Sequence, residues 1–198
     1  MLRRLVFILI LTLTTFTVVA QSPAIGTLTP TDCPIDTPRG VTVDCATLTV
    51  PEYHAELNGR TLQLAVAVLR AGDGNAKPDP VLYLEGGPGG SALTGLESWV
   101  GIPLTNDRDL ILFDQRGPGY SQPGLFCEQY DYDFDVDEAD SATYYEACAG
   151  YLEDDGIDLS AYNSAEAAAD AAMLVKSLGY TQVNLYGISY GTRVAFNV

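Results

Sequence analysis

Gly187-Ile188-Ser189-Tyr190-Gly191 spells GxSxG between a short apolar run, Val183-Asn184-Leu185-Tyr186, and a stretch that reads as the start of a helix. A serine hydroxyl attacks a carbonyl only when a base is aimed at it. A sharp strand-to-helix turn, a nucleophile elbow, lifts the side chain clear of the sheet so that a base can reach it. The glycines two residues before and after the serine let the strand and helix backbones approach where a strained serine tolerates no bulk. The chemistry implied is acyl transfer through Ser189. In such a site the partners follow in the order Ser, Asp or Glu, His. Only Tyr190 to Val198 follow here, without a carboxylate or a histidine, so the chain is expected to lack the triad acid and base and to be inactive alone.

A second candidate is Glu85-Gly86-Gly87-Pro88-Gly89-Gly90-Ser91, directly after the apolar run Val81-Leu82-Tyr83-Leu84. Glycines at the carboxyl end of a strand let backbone N–H groups face a ligand with no Cβ in the way. A phosphate-binding P-loop is excluded because no Gly-Lys-Ser/Thr follows. Gly87 to Ala92 satisfies GxGxxA, but Pro88 removes a donor and an exported protein rarely holds a dinucleotide. An oxyanion hole fits best, with the amides of Gly87 and Tyr190 as donors, each typically worth about 3 kcal/mol in the transition state.

A third segment, Phe113-Asp114-Gln115-Arg116-Gly117-Pro118-Gly119-Tyr120-Ser121, also follows an apolar run. Asp114 and Arg116 are expected to pair with each other and shape a loop beside the site rather than touch substrate. His54, the one histidine, precedes the elbow, which is the wrong order for the base, and is expected at the surface.

These groups need a scaffold. Ala46 to Val50 and Thr61 to Leu69 read as strands joined across Asn58-Gly59, a hairpin-type turn. Val81 to Leu84, Leu110 to Phe113 and Val183 to Tyr186 are short and apolar, as expected of parallel strands covered on both faces. Ser164 is placed to cap a helix whose Ala168, Ala171, Ala172, Val175 and Leu178 recur at helical spacing, with Gly179 as the stop. The alternation of strand, helix and strand implies an α/β fold with a parallel sheet and an antiparallel edge at its N-terminal end.

Composition narrows the setting. Arg3 and Arg4, the apolar stretch Leu5 to Val19 and the small residues Val18-Val19-Ala20 read as an export signal over residues 1–20. The stretch is interrupted by threonines and is short for a span, so no stable membrane anchor is expected. Residues 21–44 read as an irregular segment tied by a disulfide, and residues 45–198 as a partial α/β domain. Cys33, Cys45, Cys127 and Cys148 form an even set in an oxidising compartment. Nearest-neighbour pairing, Cys33 with Cys45 and Cys127 with Cys148, is favoured because each pair brackets a loop-like segment. A zinc site is disfavoured by the absence of a CxxC knuckle. Without Arg3 and Arg4 the balance is 8 basic to 26 acidic residues, a formal charge of −18. Such a surface repels nucleic acid and anionic lipid. The acidic run Asp131 to Glu138 lacks the EF-hand pattern and reads as a solvated loop.

Taken together, these motifs resemble the α/β-hydrolase peptidases of the proline iminopeptidase type, especially the secreted tripeptidyl aminopeptidase branch. The carriers are Cys45 to Pro51, the Gly86 to Ser91 loop, Asp114 to Ser121 with Cys127 following, and Tyr162-Asn163-Ser164 through the helix to Arg193. The resemblance implies the N-terminal half of an α/β-hydrolase fold, cut off after the nucleophile elbow, with Ser189 as nucleophile and Gly87 and Tyr190 as oxyanion donors. It implies no cofactor or metal and a short peptide as substrate, cleaved from a free amino end. Glu85 stands where the cytoplasmic iminopeptidases carry histidine. A secreted esterase or lipase and a non-catalytic module are the alternatives. Oligomeric state is not legible.

Overall fold

The computed structural model describes residues 24–72, 74–127 and 138–198. The expected export signal at 1–20 and the acidic run from Asp131 to Asp137 lie outside the described residues. Six strands form one sheet: β1 Leu28–Pro30, β2 Val43–Pro51, β3 Thr61–Leu69, β4 Val81–Leu84, β5 Leu110–Phe113 and β6 Asn184–Gly187, in the order β1-β2-β3-β5-β4-β6. β1, β2 and β3 make the antiparallel edge, β3 joins β5 antiparallel, and β5, β4 and β6 run parallel. Thus the strand that leads to Ser189 lies beside the strand that leads to the glycine-rich loop.

The β2–β3 hairpin pairs Pro51 with Thr61 and Val43 with Leu69, so β2 begins three residues before the apolar alternation announces it. Within the stretch expected to be irregular, Leu28–Pro30 adds a short strand to β2. Its cause is local: Cys33 is bonded to Cys45 on β2, and the amide of Thr31 donates to the Cys45 carbonyl at 3.1 Å. The second disulfide joins Cys127 to Cys148, so both pairings are those favoured from the sequence.

Apolar residues fill both faces of the sheet from β2 to β4, whereas β6, at the edge, is largely exposed and not covered on both faces as its apolar run suggests. On one, Leu48, Leu64, Val66, Leu82, Leu84, Ile111 and Phe113 pack against Ala167, Ala168, Ala171 and Leu174 of α2 (Ser164–Ser177) and Val194 of α3 (Tyr190–Ala195). On the other, Ala67, Leu69, Val81, Tyr83, Leu110 and Leu112 are covered by Ala92, Leu93 and Leu96, from the start of a 3₁₀ segment. Burial on both sides explains why the runs in β4 and β5 are apolar throughout.

Helix α2 departs from its expected details in two respects. The cap is Asn163, whose Oδ1 accepts from the amides of Ala165 and Glu166 at 2.9 and 3.0 Å, leaving Ser164 as the first helical residue. The buried stripe includes Ala167 and Leu174, while Ala172 is exposed. Gly179 ends the helix at φ +81°, as its position requires. Helix α1 (Glu138–Asp154) was not legible as a helix. Its apolar residues form no stripe, and Leu152 and Cys148 make a small separate cluster with Cys127 and Ile157.

Candidate active site

Ser189 is the single non-glycine residue with positive φ among the described residues, at φ 50° and ψ −117°. β6 feeds the turn and α3 leaves it, so the side chain stands on a strained bend between strand and helix. The turn is held by Ile188 N–H donating to Leu84 O at 3.1 Å and Gly191 N–H donating to Ile188 O at 2.8 Å. A Cβ on Gly187 would lie 2.7 Å from Gly191 O, and one on Gly191 would lie 2.0 Å from Leu84 O. Both positions therefore demand glycine, for the close approach anticipated from the GxSxG pattern. Ser189 is exposed, and no described side chain hydrogen-bonds to its hydroxyl.

The glycine-rich loop leaves the end of β4 next to this turn. A Cβ on Gly86 would sit 3.1 Å from Ser189 Cβ and 3.0 Å from Ile188 O. Gly87 and Gly89 adopt φ +109° and +106°, conformations open to glycine. Glu85 turns inward to its own loop. One carboxylate oxygen accepts from Gly86 N–H at 2.7 Å, the other accepts from the Tyr83 hydroxyl at 2.9 Å, and Gln115 Nε2 donates to the Glu85 carbonyl at 2.9 Å. Burial, reinforced by that carboxylate, pushes the Tyr83 hydroxyl up to about 12, so it remains a donor.

The loop after β5 is structural, but Asp114 and Arg116 do not pair with each other. Asp114 is buried and accepts from Ser91 Oγ at 2.9 Å, Leu93 N–H at 3.1 Å and Tyr120 N–H at 2.8 Å. It ties the glycine-rich loop to the following loop. Burial raises its carboxyl above the ordinary range, and these hydrogen bonds oppose that rise. Arg116 reaches Asp170 on α2 with two bonds of 2.8 Å, from Nε and Nη2. Its other N–H groups go to the carbonyls of Glu52, Ala161 and Pro51. A planar five-donor fork satisfies a buried carboxylate and three backbone carbonyls at once, while Asp114 is already committed to two amides and the Ser91 hydroxyl.

His54 is not the surface residue expected. Its Nε2 lies 2.8 Å from Asp170 Oδ1 and its side chain is 18% exposed. Asp170, fully buried, thus holds both His54 and Arg116. Asp170 was missed in the sequence, although it lies inside the helical stripe between Ala167 and Leu174. A carboxylate at such a position requires a cationic partner. Among the described residues no cluster of His, Cys, Asp and Glu could hold a metal ion, and no helix is long and apolar enough to cross a membrane.

A pocket of about 300 Å³ opens beside the turn, lined by Pro88, Gly89 and Tyr190 from the glycine-rich loop and the turn and by Leu125, Phe126 and Tyr162 among others.

Residues 79–198 match the family described as alpha/beta hydrolase fold, and the chain belongs to that family. It is 28% identical over 179 residues to a tripeptidyl aminopeptidase of Streptomyces coelicolor, covering 81% of this chain and 33% of that protein. It is 32% identical over 114 residues to carboxylesterase B of Mycobacterium tuberculosis, covering 56% of this chain and 21% of the relative. Among solved structures it is similar to proline iminopeptidase from Mycobacterium smegmatis, at 19% identity and a TM-score of 0.43, over 75% of this chain and 37% of that one. The chain spans about a third of the length of the tripeptidyl aminopeptidase it matches.

Proposed function

We propose that this chain is the nucleophile-bearing part of an exported serine aminopeptidase, which releases residues or short peptides from free amino ends through an acyl-enzyme on Ser189. The observation that carries this reading is the positive φ of Ser189 beside Gly86. Strain at a strand-to-helix turn, next to a loop rich in unhindered amides, is the arrangement acyl transfer needs. Ser189 Oγ attacks the carbonyl carbon, and the amides of Gly87 and Tyr190 hold the oxyanion. The base is supplied from outside residues 1–198, because the one histidine, His54, is committed to Asp170. The two disulfides support an oxidising compartment, and the tripeptidyl aminopeptidase relative supports a peptide substrate.

The experiment uses a polypeptide that joins residues 24–198 to the part of the family domain that carries a histidine. Tripeptidyl amides with free amino ends, the same amides with blocked ends and p-nitrophenyl esters are compared. Cleavage of the free-ended amides, lost in Ser189→Ala, supports the reading. Preference for esters favours the esterase alternative, which the carboxylesterase B relative supports. Residues 1–198 alone are expected to show no turnover, since loss of the base in a comparable triad costs about 10⁶ in rate.

A further inference from the structure

We infer that the pocket beside Ser189 is a subsite for one uncharged, apolar side chain of the substrate, and that its outer wall is held in place by the Cys127–Cys148 disulfide. This rests on the reading of Ser189 as the reacting group. Pro88, Gly89 and Tyr190 belong to the loop and turn that flank Ser189, so a group seated in the pocket adjoins the attacked carbonyl. The volume of about 300 Å³ lies at the small end of ligand pockets, which run from roughly 300 to 1,000 Å³. It suits a side chain rather than a length of peptide.

Among the described residues no carboxylate or ammonium lines the pocket, and its one charged member, Arg116, has its N–H groups engaged by Asp170 and three carbonyls. Asn163 spends its amide oxygen on the start of α2 and its nitrogen on Ser160 O. Burial pushes the Tyr162 hydroxyl up to about 12, so it stays neutral. An ionic side chain entering here would lose its hydration without a partner.

The wall is built in an unusual way. Leu125 N–H donates to Gly117 O at 2.9 Å, folding the loop after β5 back on itself, and Gly117 makes room for it. A Cβ on Gly117 would lie 3.0 Å from Leu125 Cδ1 and 3.4 Å from Tyr162 Cδ1. The next residues are Phe126, at the rim, and Cys127, bonded to Cys148 on α1. Leu125 and Tyr162 pack on the small cluster of Cys127, Leu152 and Ile157, and Tyr162 also touches the cluster that covers the α2 face of the sheet. The two cysteines belong to this small cluster and to neither of those on the sheet, so the disulfide holds the Leu125 side of the wall, while Tyr162 is held from the sheet side as well.

The test uses the Ser189→Ala chain, in which binding is read without acyl transfer. N-acetyl-L-leucinamide, the α-amide of N-acetyl-L-aspartate and N-acetyl-L-lysinamide are titrated while the Leu125 methyl and Phe126 ring signals are followed by NMR. The leucine probe is expected to bind at least ten-fold more tightly than either charged probe. Cys127→Ser/Cys148→Ser is expected to weaken it about ten-fold, with amide exchange in β4 and β5 unchanged, and Leu125→Ala/Phe126→Ala to weaken it similarly with the bridge intact. Equal binding of charged probes, shifts centred elsewhere, or a folded disulfide-free variant that binds as before would overturn the inference. Loss of the sheet in that variant would also overturn it, by giving the bridge to the whole fold. Failure of the Ser189 reading shows in hydrolysis assays and leaves these titrations unchanged.

Discussion

Gly191 lies so close beneath Leu84 that a Cβ on the glycine would stand 2.0 Å from the leucine carbonyl oxygen. This contact presses the start of α3 against the end of β4. It brings the bend at Ser189 to the glycine-rich loop, since the same strand end leads directly into Glu85 and Gly86. The obstacle is backbone, which no change of side-chain rotamer relieves.

Gly191→Ala is therefore expected to cost about 3 kcal/mol or more, at the upper end of overpacking penalties. Gly95→Ala serves as the control, because nothing lies within 4 Å of its Cβ position and its φ is not positive. It is expected to be neutral or slightly stabilising, by less than about 1 kcal/mol. Urea unfolding of both variants measures the contrast, and a similar loss in the two would remove the steric account.

The buried pair of Arg116 and Asp170 gives a different signature. Arg116→Met leaves Asp170 uncompensated apart from His54, and is expected to cost about 3–5 kcal/mol. The double change Arg116→Met/Asp170→Leu is expected to recover part of that loss, since no buried carboxylate is left unpaired, while the three carbonyls and His54 lose their partners. A double-mutant cycle by denaturation checks this; additive losses would mean the pair is not coupled.

Asp114 supplies a pH-dependent prediction. Its folded carboxyl titrates above the ordinary Asp value of about 3.9, because burial outweighs its hydrogen bonds. A raised folded value means that its contribution to stability is present below the unfolded pKa and is lost as pH rises through the folded one. Ser91→Ala removes a bond that favours the ionised form, so the midpoint is expected to move further up. Carboxyl ¹³C titration by NMR reads the midpoint, and a downward move would contradict the assignment.

The Cys33–Cys45 bridge closes a short loop, with a sequence separation of 12. Replacing both cysteines by serine is expected to cost about 3 kcal/mol on the chain-entropy account. Because β1 is three residues long and pairs only with β2, its amides are expected to lose exchange protection first. Protection unchanged at Leu28 and Thr29 would show that strand pairing alone suffices there.

How much of this was legible depended on whether a residue's role is local. The elbow, the glycine loop and the strands β4 and β5 were readable, because close backbone approach and two-sided burial leave signatures within a few residues. Both disulfides are the nearest-neighbour pairs favoured among the three pairings that four cysteines allow. The partners of Arg116 and His54 were not readable, since both meet at Asp170, 54 residues after the first and 116 after the second. Helix α1 was missed because it covers no broad apolar face, and β1 because pairing with β2, not its own sequence, makes it a strand.

If Ser189 is the acyl acceptor, it reacts with a covalent serine-hydrolase probe. A polypeptide carrying residues 24–198 with a family histidine is treated with a fluorophosphonate, and the modified residue is located by peptide mass spectrometry. One adduct is expected, on Ser189, and none in Ser189→Ala. Labelling at another serine, such as Ser91, or unchanged labelling of the alanine variant would contradict it.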